Sequence, residues 1–196
     1  MKKFAMFVAG AIALVSVPGA VYAQADYIGN AKCKICHNKA DEGDIWNKFK
    51  ASDHAKALET LKSDKAAAAA KKAGLQKPPA ESPECLKCHV TAYDVAKAAA
   101  PAAIVPDDGV QCESCHGPAS LHMEDGKKFK AKKDASIDMK AHHVQPKPEA
   151  CLECHNDKSP TWDPERYTTA DGKKVGFDYD QAWKKIEHSL PKKAAK

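Results

Sequence analysis

Four copies of one pattern, Cys-x-x-Cys-His, consume every cysteine in this 196-residue chain: Cys33-Lys-Ile-Cys36-His37, Cys85-Leu-Lys-Cys88-His89, Cys112-Glu-Ser-Cys115-His116 and Cys151-Leu-Glu-Cys154-His155. Two thiols three residues apart lie on neighbouring positions of one helical turn, where both form thioethers to the vinyl groups of a single porphyrin. The histidine that follows is presented to the iron from the same side. A zinc ribbon also pairs Cys-x-x-Cys but does not require a histidine after every pair. A thioredoxin-like redox pair is usually single, and a disulfide framework has no need of the histidines. The fourfold pattern with no cysteine left over therefore implies four covalently bound haem c groups, each with one proximal histidine.

The first residues predict export. Lys2 and Lys3 form a basic start, Phe4 to Val17 an apolar stretch, and Val21-Tyr22-Ala23 a small-x-small end, so residues 1–23 read as a cleaved signal peptide and 24–196 as one cytochrome domain. The apolar run, interrupted by Ser16, Pro18 and Gly19, is short for a bilayer span, and no later segment approaches one. The expected compartment is the periplasm. Cleavage removes two lysines and lowers the formal charge from +5 to +3. That balance argues against nucleic acid, and Arg166 is the only arginine beside 30 lysines, which suits solvated docking surfaces rather than a carboxylate or phosphate clamp.

Between the first two motifs, Ile45, Trp46, Phe49, Ala57, Leu58 and Leu61 recur at near-helical spacing, with a break expected at Ser52-Asp53 and strong helix formers from Ala66 to Lys72. Pro78, Pro79 and Pro83, then Pro101, Pro106 and Asp108-Gly109, make two linkers. The lysine-rich stretch 127–133 reads as an exposed face or loop, and a last helix is predicted from Tyr179 to Leu190. Strand-like alternation is almost absent. The fold class expected is mainly α with long loops, built around a stack of four haems. With roughly 43 residues per haem, that stack itself serves as the core.

Five histidines lie outside the motifs: His54, His122, His142, His143 and His188. Four irons each need a sixth ligand or an open site. His54 has small neighbours that let a flat macrocycle approach, with Asp53 a candidate hydrogen-bond neighbour. His122 follows its motif too closely to serve its own haem and reaches a neighbour's. His188 sits alone on the terminal helix, and one of His142 and His143, taken as His143, is a further candidate.

Asn30-Ala-Lys-Cys-Lys-Ile-Cys-His37, Trp46, His54-Ala-Lys-Ala-Leu-Glu-Thr-Leu61 and Val110-Gln-Cys-Glu-Ser-Cys-His-Gly-Pro118 resemble the tetrahaem cytochrome c-554 family of ammonia-oxidising bacteria, and the similarity runs on through Phe177-Asp178 to His188. The Cys-Glu-Ser-Cys-His-Gly-Pro element also occurs in larger multihaem enzymes. The resemblance implies a helical shell around haems packed as close pairs, three irons bis-histidine ligated and one five-coordinate. Carried across by position, His122 ligates the first haem, His188 the third and His54 the fourth. The second keeps only His89, unless His142 or His143 closes it. The resemblance further implies an electron carrier whose donor is a hydroxylamine oxidoreductase-like or other multihaem protein and whose acceptor is quinone-linked or another cytochrome. Two alternatives stand beside the carrier: a reductase acting on nitric oxide, nitrite or hydroxylamine at an open second haem, and a subunit of a conducting cytochrome filament.

Overall fold

The computed structural model of the protein describes residues 25–94, 104–132 and 136–188. The expected signal peptide, Pro101 and the end of the expected last helix lie outside them. Helices dominate, and all are short. α1 (Asn30–His37) carries the first motif and is followed by α2 (Ile45–Ala51). The chain breaks at Ser52, whose backbone is extended, and resumes as a 3₁₀ turn (His54–Lys56) that runs into α3 (Ala57–Thr60). α4 (Asp64–Lys72) starts at Ser63, whose hydroxyl accepts from Ala66 N, and the alanine run that follows needs no other device to stay helical.

α5 (Pro83–His89) and α8 (Pro148–Leu152) both open on a proline at the first helical position, where its missing N–H costs nothing. Between them lie α6 (Cys112–His116) and α7 (Ser120–Lys132). Each motif thus has its own helix. The fourth runs past the end of α8, continued by the hydrogen bond from His155 N to Cys151 O. The stretch from Lys127 to Lys130 lies on α7 and is exposed, as its lack of recurring apolar residues implies.

Two expectations need correction. A two-stranded antiparallel hairpin, β1 (Tyr167–Thr168) and β2 (Lys174–Val175), stands where no strand was expected; it is closed by a tight turn in which Thr169 bonds Asp171 and Lys173, a local device that leaves no periodic trace. The last helix, α9 (Tyr179–Ile186), is capped by Asp178 and stops four residues before Leu190, because Glu187 turns extended (φ −58°, ψ 135°). His188 is therefore beyond the helix.

The apolar core is small. Leu58, Leu61 and Val90 form it, with Leu86, Cys85, Ala80 and Tyr93 packed around them, so it lies beneath the second motif. The most completely buried side chains are polar: Gln111, Asn30, Thr91 and Ser82. Among the described residues no helix is long and apolar enough to cross a membrane.

The two halves of this core meet at Gly109. Val110 N donates to His54 O, while Thr91 donates from both its N–H and its hydroxyl to Gly109 O. Gly109 has φ +65°, and a Cβ there falls 2.7 Å from the His54 carbonyl oxygen and 3.1 Å from Ala57 N. Neither obstacle is a side chain able to swing away. Gly109→Ala is expected to lose about 1–3 kcal/mol, from backbone strain and displacement of the His54 carbonyl; a denaturant midpoint equal to the parent's contradicts this close approach.

Candidate haem sites

α1 and α6 begin within hydrogen-bonding distance of each other, and each caps the other. Gly29 at the start of α1 makes no cap of its own. Instead Glu113 of α6 accepts from Ile28 N (3.0 Å) and Gly29 N (2.8 Å), and Gln111 Oε1 accepts from Asn30 N (3.1 Å). In return Asn30 Oδ1 accepts from Cys112 N (3.2 Å) and from the Cys112 thiol (3.1 Å). Gln111 N donates to the Thr91 hydroxyl, which also pairs with Ser114. These side chains satisfy N–H groups that every helix start leaves without an internal partner.

The interlock brings the cysteines of different motifs together. The Cys33 and Cys112 thiols lie side by side, and their interaction pushes Cys33 up and holds Cys112 down. Burial pushes Cys154 up to about 12, with the neighbouring Cys88 adding to it, and Cys115 up to about 11, with Cys151 adding to it. None of the eight cysteines is paired in a disulfide, and all are partly exposed. Ile35 and Leu152, between the cysteines of the first and fourth motifs, are 65% and 47% exposed, so apolar surface lies beside the thiols for a macrocycle to cover.

The histidine rings fall into pairs. His37 faces His122 at 6.3 Å between centroids with planes 8° apart, His54 faces His155 at 6.0 Å, and His116 faces His188 at 6.0 Å. Two imidazoles ligating one metal from opposite sides, each nitrogen about 2 Å from it, have centroids roughly 6 Å apart. Three pairs thus have the spacing of axial ligands, and they are the three that the family resemblance implies. Among the described residues no histidine ring faces His89.

Backbone carbonyls orient several of these rings. The Nδ1–H of His89 donates to Ala57 O (2.7 Å), that of His116 to Val144 O (2.8 Å) and that of His188 to Ile186 O (3.0 Å), which leaves Nε2 as the free nitrogen of each. The His188 bond also explains how a residue past the end of α9 reaches its partner. His37 and His122 keep buried Nδ1 atoms with no partner. Asp53, expected to bond His54, acts on it through charge alone. Burial lowers the pKa of His37, His54, His116, His122 and His155; near His122 the Met139 backbone opposes this without reaching hydrogen-bonding geometry. The neutral form is the one that ligates.

His142 and His143 do not complete the second site. His142 pairs with Asp125 (2.6 Å). His143 packs 4.9 Å from His116 and 5.2 Å from His122, too close for a metal between rings, and burial with the surrounding imidazoles holds it down to about 4. Phe177 stacks on His155 at 5.1 Å, so the hairpin and the start of α9 wall the fourth site, a role that only the family resemblance touches in the sequence.

Helical motifs with paired cysteines followed by histidine, rings at axial spacing and a core too small to stand alone define a c-type cytochrome with several haems. The profile described as "Cytochrome c554 and c-prime" matches residues 32–117. A relative, cytochrome c-554 of Nitrosomonas europaea, is 28% identical over 199 residues, covering 92% of this chain and 81% of its own. A solved structure, the reduced state of cytochrome c554 from Nitrosomonas europaea, matches with 26% identity and a TM-score of 0.47 over 83% of this chain and 79% of its own. Over residues 32–117 the chain is similar to the family that this profile describes, and its four motifs offer four sites for covalently attached haem c.

The interlock is directly testable. Gln111→Leu strands the buried Asn30 N–H and is expected to cost about 2–3 kcal/mol, whereas Gln76→Leu on the surface stays within about 0.5 kcal/mol. Equal urea midpoints for the two variants contradict the reciprocal cap.

Proposed function

We propose that this protein is an extracytoplasmic electron relay. Cys33/Cys36, Cys85/Cys88, Cys112/Cys115 and Cys151/Cys154 each hold one haem, with proximal ligands His37, His89, His116 and His155 respectively. His122, His188 and His54 close the first, third and fourth sites from the opposite side. The observation that carries this reading is the set of three ring pairs at 6.0–6.3 Å. Bound there, haem supplies one-electron chemistry with no iron position left for a substrate. The protein's part is to hold neutral imidazoles in place and to keep the motifs adjacent.

Contacts between motifs support a spatial order. Asn30 on the helix of the first motif bonds Cys112 of the third, Cys115 of the third interacts with Cys151 of the fourth, and the segment His54–Ala57 meets both His155 of the fourth and His89 of the second. The sites therefore follow one another as first, third, fourth, second, with the ends of the relay at the first and second motifs.

Charge supports a partner class for the first end. Lys32, Lys34, Lys39, Lys48 and Lys50 on α1 to α2, with Lys127, Lys128 and Lys130 on α7, are exposed around the first motif, and Lys130 is close enough to disfavour protonation of His37. Such a face suits transient docking of an acidic redox protein, with an on-rate that falls as salt rises. A multihaem donor of the hydroxylamine oxidoreductase kind and a quinone-linked or cytochrome acceptor fit that role. The lysine-led leader and small-x-small end support delivery to the periplasm.

One observation favours a second reading. His89 has no opposing ring among the described residues, which supports a sixth position open to a small ligand such as nitric oxide, nitrite or hydroxylamine. Electron paramagnetic resonance of the oxidised protein separates the two roles. Three low-spin signals and one high-spin signal are expected, with nitric oxide altering only the high-spin one, and His54→Met is expected to change one low-spin signal and no other. Four low-spin signals with no response to nitric oxide contradict an open second site; an unchanged spectrum in His54→Met removes His54 from the ligands.

A further inference from the structure

Glu113 stands between the two cysteines of the third motif and is 2% exposed. Its carboxylate accepts from three backbone N–H groups, Ile28 (3.0 Å), Gly29 (2.8 Å) and Ala119 (2.9 Å), and no cation pairs with it among the described residues. A carboxylic acid held only by donors is an acceptor on both oxygens, which is the ionised form. Buried carboxylates are rare unless paired. The three N–H groups orient and solvate this charge without cancelling it.

Its location gives the charge a consequence. Glu113 follows Cys112 directly, raises Cys33 electrostatically, and adds to the effect of burial on the Tyr27 phenol. It therefore lies at the junction of the first and third sites. A one-electron site there gains one negative charge on reduction, and a fixed anion nearby opposes that change.

We infer that Glu113 is a built-in negative charge that lowers the reduction potentials of the first and third haems relative to the second and fourth. Electrons then run downhill along the order first, third, fourth, second. This rests on the haem assignments of the proposed function. The charge is a positioning element for the redox levels, not a ligand.

Potentiometric titration of the full holoprotein, read by the low-spin resonances at poised potentials, tests it, with the first-site signal assigned by its loss in His122→Met. One unit charge about 10 Å from a redox centre, at an effective permittivity of about 20, changes the reduced-to-oxidised ratio on the order of tenfold. Glu113→Gln is expected to raise that ratio about tenfold for the first and third sites, about 59 mV for one electron, and to leave the fourth within about twofold. Glu113→Asp keeps the charge and is expected to stay within about twofold of the parent. Ala119→Lys leaves the carboxylate in place, adds a cation beside it, and is expected to shift the ratio in the same sense as Glu113→Gln.

A Glu113→Gln ratio equal to the parent's, or equal shifts in the Gln and Asp variants, overturns the inference. If Glu113→Gln does not assemble, Ala119→Lys decides alone: no shift overturns it. The pyridine haemochrome count of the parent distinguishes the two levels, since fewer than four haems refutes the assignments, whereas four haems with unmoved potentials refutes only the role of Glu113.

Discussion

The reciprocal capping of α1 by α6 is the contact on which the rest of the arrangement depends. Two helix starts face each other, each exposing N–H groups that must be satisfied. Gln111 and Glu113 answer those of α1, and Asn30 answers that of α6. A hydrophobic contact leaves neighbours free to slide; hydrogen bonds at buried helix ends do not, because each displaced partner leaves a stranded polar group. The first and third motifs are thereby held in one register, and the pairing of His37 with His122 follows, since Ala119 N, just before α7, is tied to the same carboxylate.

A second junction carries the other two motifs. Gly109 lets the strand of chain leading into α6 cross the His54–Ala57 backbone at a distance only glycine allows. The same segment offers Ala57 O to His89 and bears His54 opposite His155. One short stretch thus orients the ring of the second motif and sets another ring opposite that of the fourth. Leu58 and Leu61, on its far side, sit in the only hydrophobic cluster of the described residues. Packing, backbone hydrogen bonds and ligand placement are concentrated in about eight residues here.

Much of this was legible beforehand, for physical reasons. The motifs are covalent chemistry written as spacing, and the small residues around His54 mark a close approach. The helix break at Ser52 is a local effect that local sequence encodes, whereas Pro83, expected in a linker, opens α5. Asn30, Gln111 and Glu113 were not legible: each satisfies a backbone group some 80 residues away, and nothing nearby distinguishes Glu113 from a surface acid. His188 was placed on a helix because its neighbours are good helix formers, whereas the chain turns extended at Glu187 and the ring folds back to Ile186 O. The hairpin at Tyr167–Val175 rests on two residues per strand, too few for alternation to register. His143 sits among the rings of the first and third sites rather than the second, a matter of tertiary path alone.

On the proposed reading, the polypeptide orders its four sites as first, third, fourth, second by locking motif helices to one another. Anomalous diffraction at the iron edge, from crystals of the holoprotein, locates the four irons without reference to the chain. The iron of the first motif is expected to have that of the third as its nearest neighbour, the second to have the fourth, and the third and fourth to link the pairs. An iron of the first motif lying nearest to that of the second, with Asn30 and Gln111 apart, contradicts it.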